Sequence, residues 1–206
     1  MSITTPAAGK IYRSERPIAH VAQRLHVAPG AILEWLPQET IYFSGAQAHS
    51  HTRVELAADA GFIGWEIACL GRPAAQEQFA AGAVRAGLEL WRDGVPLYIE
   101  RAHFHGGDSA LMARWALDGC SVTGTLLALA RDEELVRALR TELAAFAAPD
   151  RFAVTQADDV LVVVDPHSGL SFEVAAYKGY MKRMIEVRCL YQWKAWKPDA
   201  IALLLG

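Results

Sequence analysis

Cysteine is scarce: among 206 residues there are three, Cys69, Cys120 and Cys189. They are far apart and odd in number, with no CxxC or other metal-clip spacing. This argues against a zinc module and against a disulfide-stapled scaffold. Free cysteine usually behaves as a small apolar residue, so all three are expected as reduced core thiols, with a disulfide or metal role as the alternative. Charge is also sparse, 21% against 52% hydrophobic residues. A surface that lean in charge is expected to be covered in part by a partner. The formal net charge of −3 supplies no global basic field, and no long run of one sign occurs, which argues against nucleic acid. No run of about 18 apolar residues could cross a bilayer, and MSITTPAAGK at the start has no apolar leader core. A cytosolic protein without a membrane partner is expected.

Nucleotide and common hydrolase signatures are missing too. AGK at 8–10 is followed by Ile11 where a phosphate loop needs Ser or Thr, and the leading glycine is absent. There is no GxSxG elbow, HExxH helix or dinucleotide glycine fingerprint. What is present fits one sizeable domain over residues 1–206, long enough to bury a real core.

From Arg24 to about Ile99 short runs rich in Val, Ile, Trp and Tyr alternate with Gly, Pro or Asp, a β pattern. In LELWRDGVPLYIE, Asp93-Gly94 predicts a type I′ hairpin with Leu90 facing Leu97 and Leu88 facing Ile99. RLHVAPGA at 24–31 is echoed 29 residues later by RVELAADA at 53–60, and each copy leads to an apolar run with Glu beside Trp, apart from a one-residue slip. The echo is compatible with strands stacked in similar coils, and equally with a meander of hairpins. Asp132, Glu133 and Glu134 ahead of Leu135, Leu139, Leu143 and Phe146 predict an amphipathic helix of about four turns. VLVVV at 160–164 predicts a buried strand, residues 165–169 a turn and LSFEVAA a further strand. A second helix is expected over Tyr177 to Trp196, carrying Lys178, Lys182, Arg183, Arg188, Lys194 and Lys197 on a face that is either solvated or a dock for an acidic partner.

Two constellations carry possible chemistry. In LEWLPQETIYFSGA, at 33–46, Glu34 and Glu39 sit in an apolar neighbourhood as a candidate acid/base pair. Residues five apart on one strand project to opposite faces, which separates them, but Pro37 lacks an N–H and marks a bend that could re-aim Glu39. His49/His51 in HSH and His103/His105 in HFH could, with a glutamate, bind a divalent transition metal in a small cupin-like metalloenzyme. The alternative for both pairs is exposed polar residues near turns.

TTPAAGKIYRS, LEWLPQETIYFSGA, FIGWEIACLGRPAAQEQFAAG and WRDGVPLYIER, in that order, resemble the urease accessory protein UreD (UreH) family. The resemblance is strong over about Ile3 to Arg101 and looser beyond. It implies a mainly β fold, an irregular β-helix-like stack of sheets with two α-helices in the C-terminal half. It also implies a non-catalytic maturation factor for urease that binds UreF, reaches the GTPase UreG through UreF, and docks on apo-urease so that nickel can enter. No tightly bound cofactor is implied, only transient Ni2+. Such passage would need oxygen donors in an otherwise costly interior. Glu34, Glu39 and Glu66 fall in the family-like motifs and are the candidates, with Asp59 behind them; their alternative role is to hydrogen-bond loop amides or Arg72. The H-x-H pairs lie outside those motifs. Relative to the family the chain is expected to lack N-terminal strands, and its KAWKPDAIALLLG ending departs from the expected close, so a non-functional fragment is a further alternative.

Overall fold

The computed structural model describes residues 1–15, 17–113, 116–130, 133–144, 153–157, 159–165, 170–179 and 182–191. Its strands are β1 (Ser2–Ile3), β2 (Gly9–Ile11), β3 (Ala19–Val27), β4 (Ile32–Trp35), β5 (Thr40–Tyr42), β6 (Ala46–Leu56), β7 (Gly61–Arg72), β8 (Glu77–Gln78), β9 (Gly82–Arg92), β10 (Val95–His105) and β11 (Val122–Leu129). They are followed by helix α1 (Glu133–Ala144) and strands β12 (Ala153–Ala157), β13 (Val160–Asp165), β14 (Leu170–Gly179) and β15 (Lys182–Tyr191). The chain divides into a unit of Met1–Ser168 and a second of Gly169–Gly206.

In the first unit a 9-stranded sheet has the order β1-β4-β7-β11-β13-β12, with β5 and β8 also pairing with β7 and β2 pairing with β5, and a 4-stranded sheet has the order β10-β9-β6-β3. The chain alternates between them, β3 in the small sheet, β4 and β5 in the large one, then β6 and β7 likewise. These coils pair in parallel. Arg24 lies beside Arg53 on β3 and β6, and Ile32 beside Gly61 on β4 and β7, so the 29-residue echo is one coil of the stack. Further on, Thr40 lies beside Ala68, a 28-residue step, because the earlier coil holds one extra residue around Pro37. The slip in the sequence echo is a different one: Trp35 pairs with Gly64, so Trp65 stands one residue past its counterpart and on the other face of β7. A continuous apolar interior forms where Val27, Val54, Leu56, Leu88 and Leu90 of the small sheet meet Leu33, Trp35, Phe62, Leu127, Val160 and Val162 of the large one. Burying each such side chain contributes about 1.5–3 kcal/mol.

The β9–β10 hairpin forms on Asp93 and Gly94, both at positive φ (49° and 78°), as a type I′ turn requires. Its register differs from expectation. Leu90 pairs with Tyr98, Glu89 with Ile99 and Leu88 with Glu100, because the ladder shifts between Pro96 and Tyr98. Proline cannot donate to the ladder, and a bulge beside it accommodates the missing bond. One extra residue exchanges the faces, so Ile99 points outward, 47% exposed, and Glu100 points in.

Helix α1 lies where the acidic start and apolar stripe place it. Val136, Leu139 and Leu143 are buried, Glu133 and Glu134 occupy the first turn, and the Arg140 guanidinium donates to the Val154 carbonyl of β12 at 2.9 Å. Asp132 and Phe146 lie outside the described residues. The expected second helix is replaced by strand. Residues 177–179 belong to β14 and 182–191 to β15, paired antiparallel from Leu170↔Tyr191 to Gly179↔Lys182. Gly179 interrupts helical periodicity, and Ile185, Val187 and Tyr191 prefer an extended backbone, so cross-strand pairing wins. Of the six cations assigned to that helix, Lys178, Lys182, Arg183 and Arg188 are on strands; Lys194 and Lys197 lie outside the described residues, as do residues 166–169 of the expected turn.

One carboxylate locks the outer face of the small sheet. Glu89 accepts from Trp91 Nε1 at 2.7 Å and Arg101 at 2.6 Å, faces His51 Nε2 at 3.0 Å, and has Arg53 at 3.5 Å. Burial pushes its carboxyl up, but the Trp91, His51 and Arg101 hydrogen bonds outweigh this and hold it below the usual range. A lowered folded value means its stabilisation is present above the unfolded value and lost as pH falls through the folded one. Glu89→Ala is therefore expected to cost about 3 kcal/mol at neutral pH, with the difference from wild type shrinking in acid. Thermal melts across the acid range check both.

Candidate functional site

Inward-facing residues of the two sheets fall into three zones. At one end is the apolar cluster described above. At the other, Tyr42, Ala46, Ala48, Leu70, Phe79, Val84, Phe104 and Leu117 form a second cluster. Four strands pass from one cluster to the other, and each is polar or small in between: Ser50 and Thr52 on β6, Glu66 on β7, Ala86 on β9, Glu100 and Ala102 on β10. Thr40, Thr123 and Thr125 complete a polar band around a cavity of about 50 Å³. That is more than the space one water needs.

Glu66 is the centre of the band. Its Oε1 accepts from Trp35 Nε1 at 3.0 Å and lies 2.7 Å from the Thr52 hydroxyl, which is also 2.7 Å from Gln23 Oε1. Thr52 has one proton for these two oxygens, so one contact needs a proton on Glu66 or a Gln23 amide turned to present its NH2. Burial raises the Glu66 carboxyl; the Trp35 and Thr52 hydrogen bonds oppose this and the charge of Glu100 adds to it. The upward direction favours the proton on Glu66. Gly64 makes the indole contact possible, since a Cβ there would stand 2.9 Å from Trp35 Cβ and 2.8 Å from its carbonyl oxygen. Glu100 Oε2 accepts from the Tyr98 hydroxyl at 2.8 Å, and burial with the Glu100 charge pushes the Tyr98 phenol well up. Tyr42 is raised by burial, with the Ser50 hydrogen bond opposing and Glu66 adding.

The other sequence candidates lie elsewhere. Glu34 alternates with the core residues Leu33 and Trp35 and so takes the opposite face of the large sheet. Glu39 follows the bend and lies on that same opposite face, near Cys69, because the extra residue around Pro37 exchanges parity before the cavity-lining Thr40 and Tyr42. Both thus avoid the band. Asp59 sits on an exposed turn beside Gly30. Arg72 pairs with Glu77, which also accepts the Ser44 amide at 3.0 Å. Glu100 escaped sequence reading because strict alternation from the turn places Ile99 inside, and only the bulge after Pro96 reverses this.

Chemically the band offers carboxyls, hydroxyls and phenols. His20, His26, His49, His51, His103 and His105 all belong to the outer face of the small sheet, opposite the cavity. Among the described residues no group of three or more His, Cys, Asp and Glu could hold a metal ion. Cys69 and Cys120 are buried thiols outside any disulfide, as expected; the Cys189 side chain is not among those described. Burial and then Glu39 push the Cys69 thiol up to about 11, which makes it a poor nucleophile. Weak oxygen donors in an interior cavity suit brief contact with a hydrated divalent cation better than tight coordination.

Residues 1–164 match the family model described as UreD urease accessory protein. The chain belongs to the UreD family. It is 40% identical over 196 residues to Urease accessory protein UreD 2 of Brucella anthropi, covering 95% of this chain and 66% of the relative. The Urease accessory protein UreD of Pseudomonas fluorescens is 47% identical over 161 residues (78% and 56%), and that of Citrobacter koseri 44% over 144 (69% and 48%). The chain thus spans about half to two thirds of the length of these curated UreD relatives. No helix among the described residues is long and apolar enough to cross a membrane.

The raised Glu66 carboxyl predicts a stability signature. A value raised on folding gives stabilisation that is full below the unfolded value and lost as pH rises through the folded one. Glu66→Gln keeps an acceptor for Trp35 and has no proton to lose. Its melting temperature is expected to equal or exceed wild type at neutral pH, with the gain growing as pH rises. A fall of several degrees would show that the band needs the charge for stability.

Proposed function

We propose that this UreD-family chain is a non-catalytic maturation factor for urease, acting in the cytoplasm as a scaffold that binds UreF, reaches the UreG GTPase through UreF, and passes Ni2+ toward apo-urease along its inter-sheet polar band. The band is the observation that carries this reading. Carboxyls and hydroxyls between two apolar clusters cost stability compared with a uniform hydrophobic core, and that cost is intelligible if a polar cargo must cross the interior. Nickel is cargo here, touched by Glu66 and Glu100 and released. Such groups bind a borderline cation loosely, as transit requires. The missing phosphate loop agrees with nucleotide hydrolysis residing in a partner.

The test is urease activation in cells lacking their own UreD, with this chain co-expressed beside UreF and UreG. Wild type is expected to restore activity and to co-purify with UreF. The Glu66→Gln/Glu100→Gln pair is expected to co-purify equally while lowering activation by at least about tenfold, the scale on which loss of polar groups near a metal acts. Full activation by the pair would sink the route. A soluble wild-type chain that neither restores activity nor binds UreF would sink the scaffold.

A further inference from the structure

The outer face of the small sheet gathers histidines and arginines from four strands. Alternation puts His20, Arg24 and His26 of β3 there, with His49, His51, Arg53 and Glu55 of the adjacent β6. β9 adds Arg85 and Glu89, and β10 adds Arg101, His103 and His105. One row crosses all four strands, His20 beside His49, His49 beside Arg85, and Arg85 beside His103. The His20 and His49 rings meet edge to face at 5.1 Å, and those of His103 and His105 lie 4.2 Å apart.

Four arginines stand against two glutamates on this face, in a chain whose formal net charge is −3. Both glutamates are already engaged. Glu89 is sunk beneath its cations, and Glu55 pairs with Arg53 at 2.8 Å and with His26 at 3.1 Å. Arg85, His20, His103 and His105 are exposed, and exposed Ile99 adds an apolar contact. Partial burial, then the charges of His105, Arg85 and His49, holds His103 below its usual range, as expected where cations crowd without an acid between them. An incoming carboxylate would relieve that crowding. It would also favour protonation of the histidines around it.

We propose that the outer face of the four-stranded sheet is a docking surface for an acidic protein segment, whose aspartates and glutamates meet the His20–His49–Arg85–His103 row and whose grip tightens as pH falls. This rests on charge and register alone and stands apart from nickel transit. The test is fluorescence anisotropy of a labelled poly-glutamate peptide with the purified chain at low salt. Binding is expected to be about tenfold tighter near pH ~6 than near pH ~8. Arg85→Glu with His103→Glu is expected to weaken it by more than tenfold, while Lys10→Glu, on the other sheet, leaves it unchanged. His20→Glu alone, with several-fold weakening, serves if the double variant does not fold. No peptide binding by wild type, or equal loss with Lys10→Glu, would overturn the proposal. So would tighter binding of a single-stranded oligonucleotide of matched charge, which would mark the face as a polyphosphate surface.

Discussion

Along a strand successive side chains point to opposite faces, so one inserted residue decides which side of a sheet everything after it meets. The sheets of the first unit are arranged by this constraint. Each coil leaves the small sheet, crosses the large one and returns beside its predecessor, and parallel pairing holds the coils at a common height. Where the coils match residue for residue, apolar positions stack and the core is continuous. Where one residue is added, at Pro37 and at Pro96, faces exchange, and those two exchanges keep Glu39 out of the cavity and turn Glu100 into it.

Both insertions occur at proline for a common reason. A residue without an N–H leaves a gap in any ladder, and the chain loses least by placing its irregularity there. At Pro37 the consequence is that Glu34 and Glu39, separated by a spacing that should oppose them, share the outer face of the large sheet while Thr40 and Tyr42 line the cavity. At Pro96 it is that Tyr98 and Glu100 turn inward and Ile99 outward. Glu66 needs no such device. It follows Phe62 and Gly64 in plain alternation along β7, and the missing side chain at Gly64 lets Trp35 reach it.

The two faces of the small sheet divide the chemistry of the chain. Inside, oxygen donors lie between apolar clusters, and burial drives Glu66 toward its neutral form. Outside, histidines and arginines surround Glu89, whose charged form their hydrogen bonds secure against burial. The same residue type is thus pushed in opposite directions across one layer of backbone. Cations surround Glu89 on one side, whereas the residues lining the cavity on the other include none.

Local pattern was enough to read the β character of the first half, the Asp93-Gly94 turn, helix α1, the buried β13 and the 29-residue echo, because each is set by neighbours a few residues apart or by direct repetition. Glu66 was legible as a candidate since its motif marks it and its alternation is unbroken. Tyr177 to Trp196 misled because charge spacing suits a helix as well as a strand, and only the pairing of β15 with β14 decides between them. Glu100 and the shared histidine face were beyond sequence reading. The first depends on a bulge, the second on four strands brought together from residues 19 to 105, and register between distant strands is a property of the assembled sheet, not of any one stretch of chain.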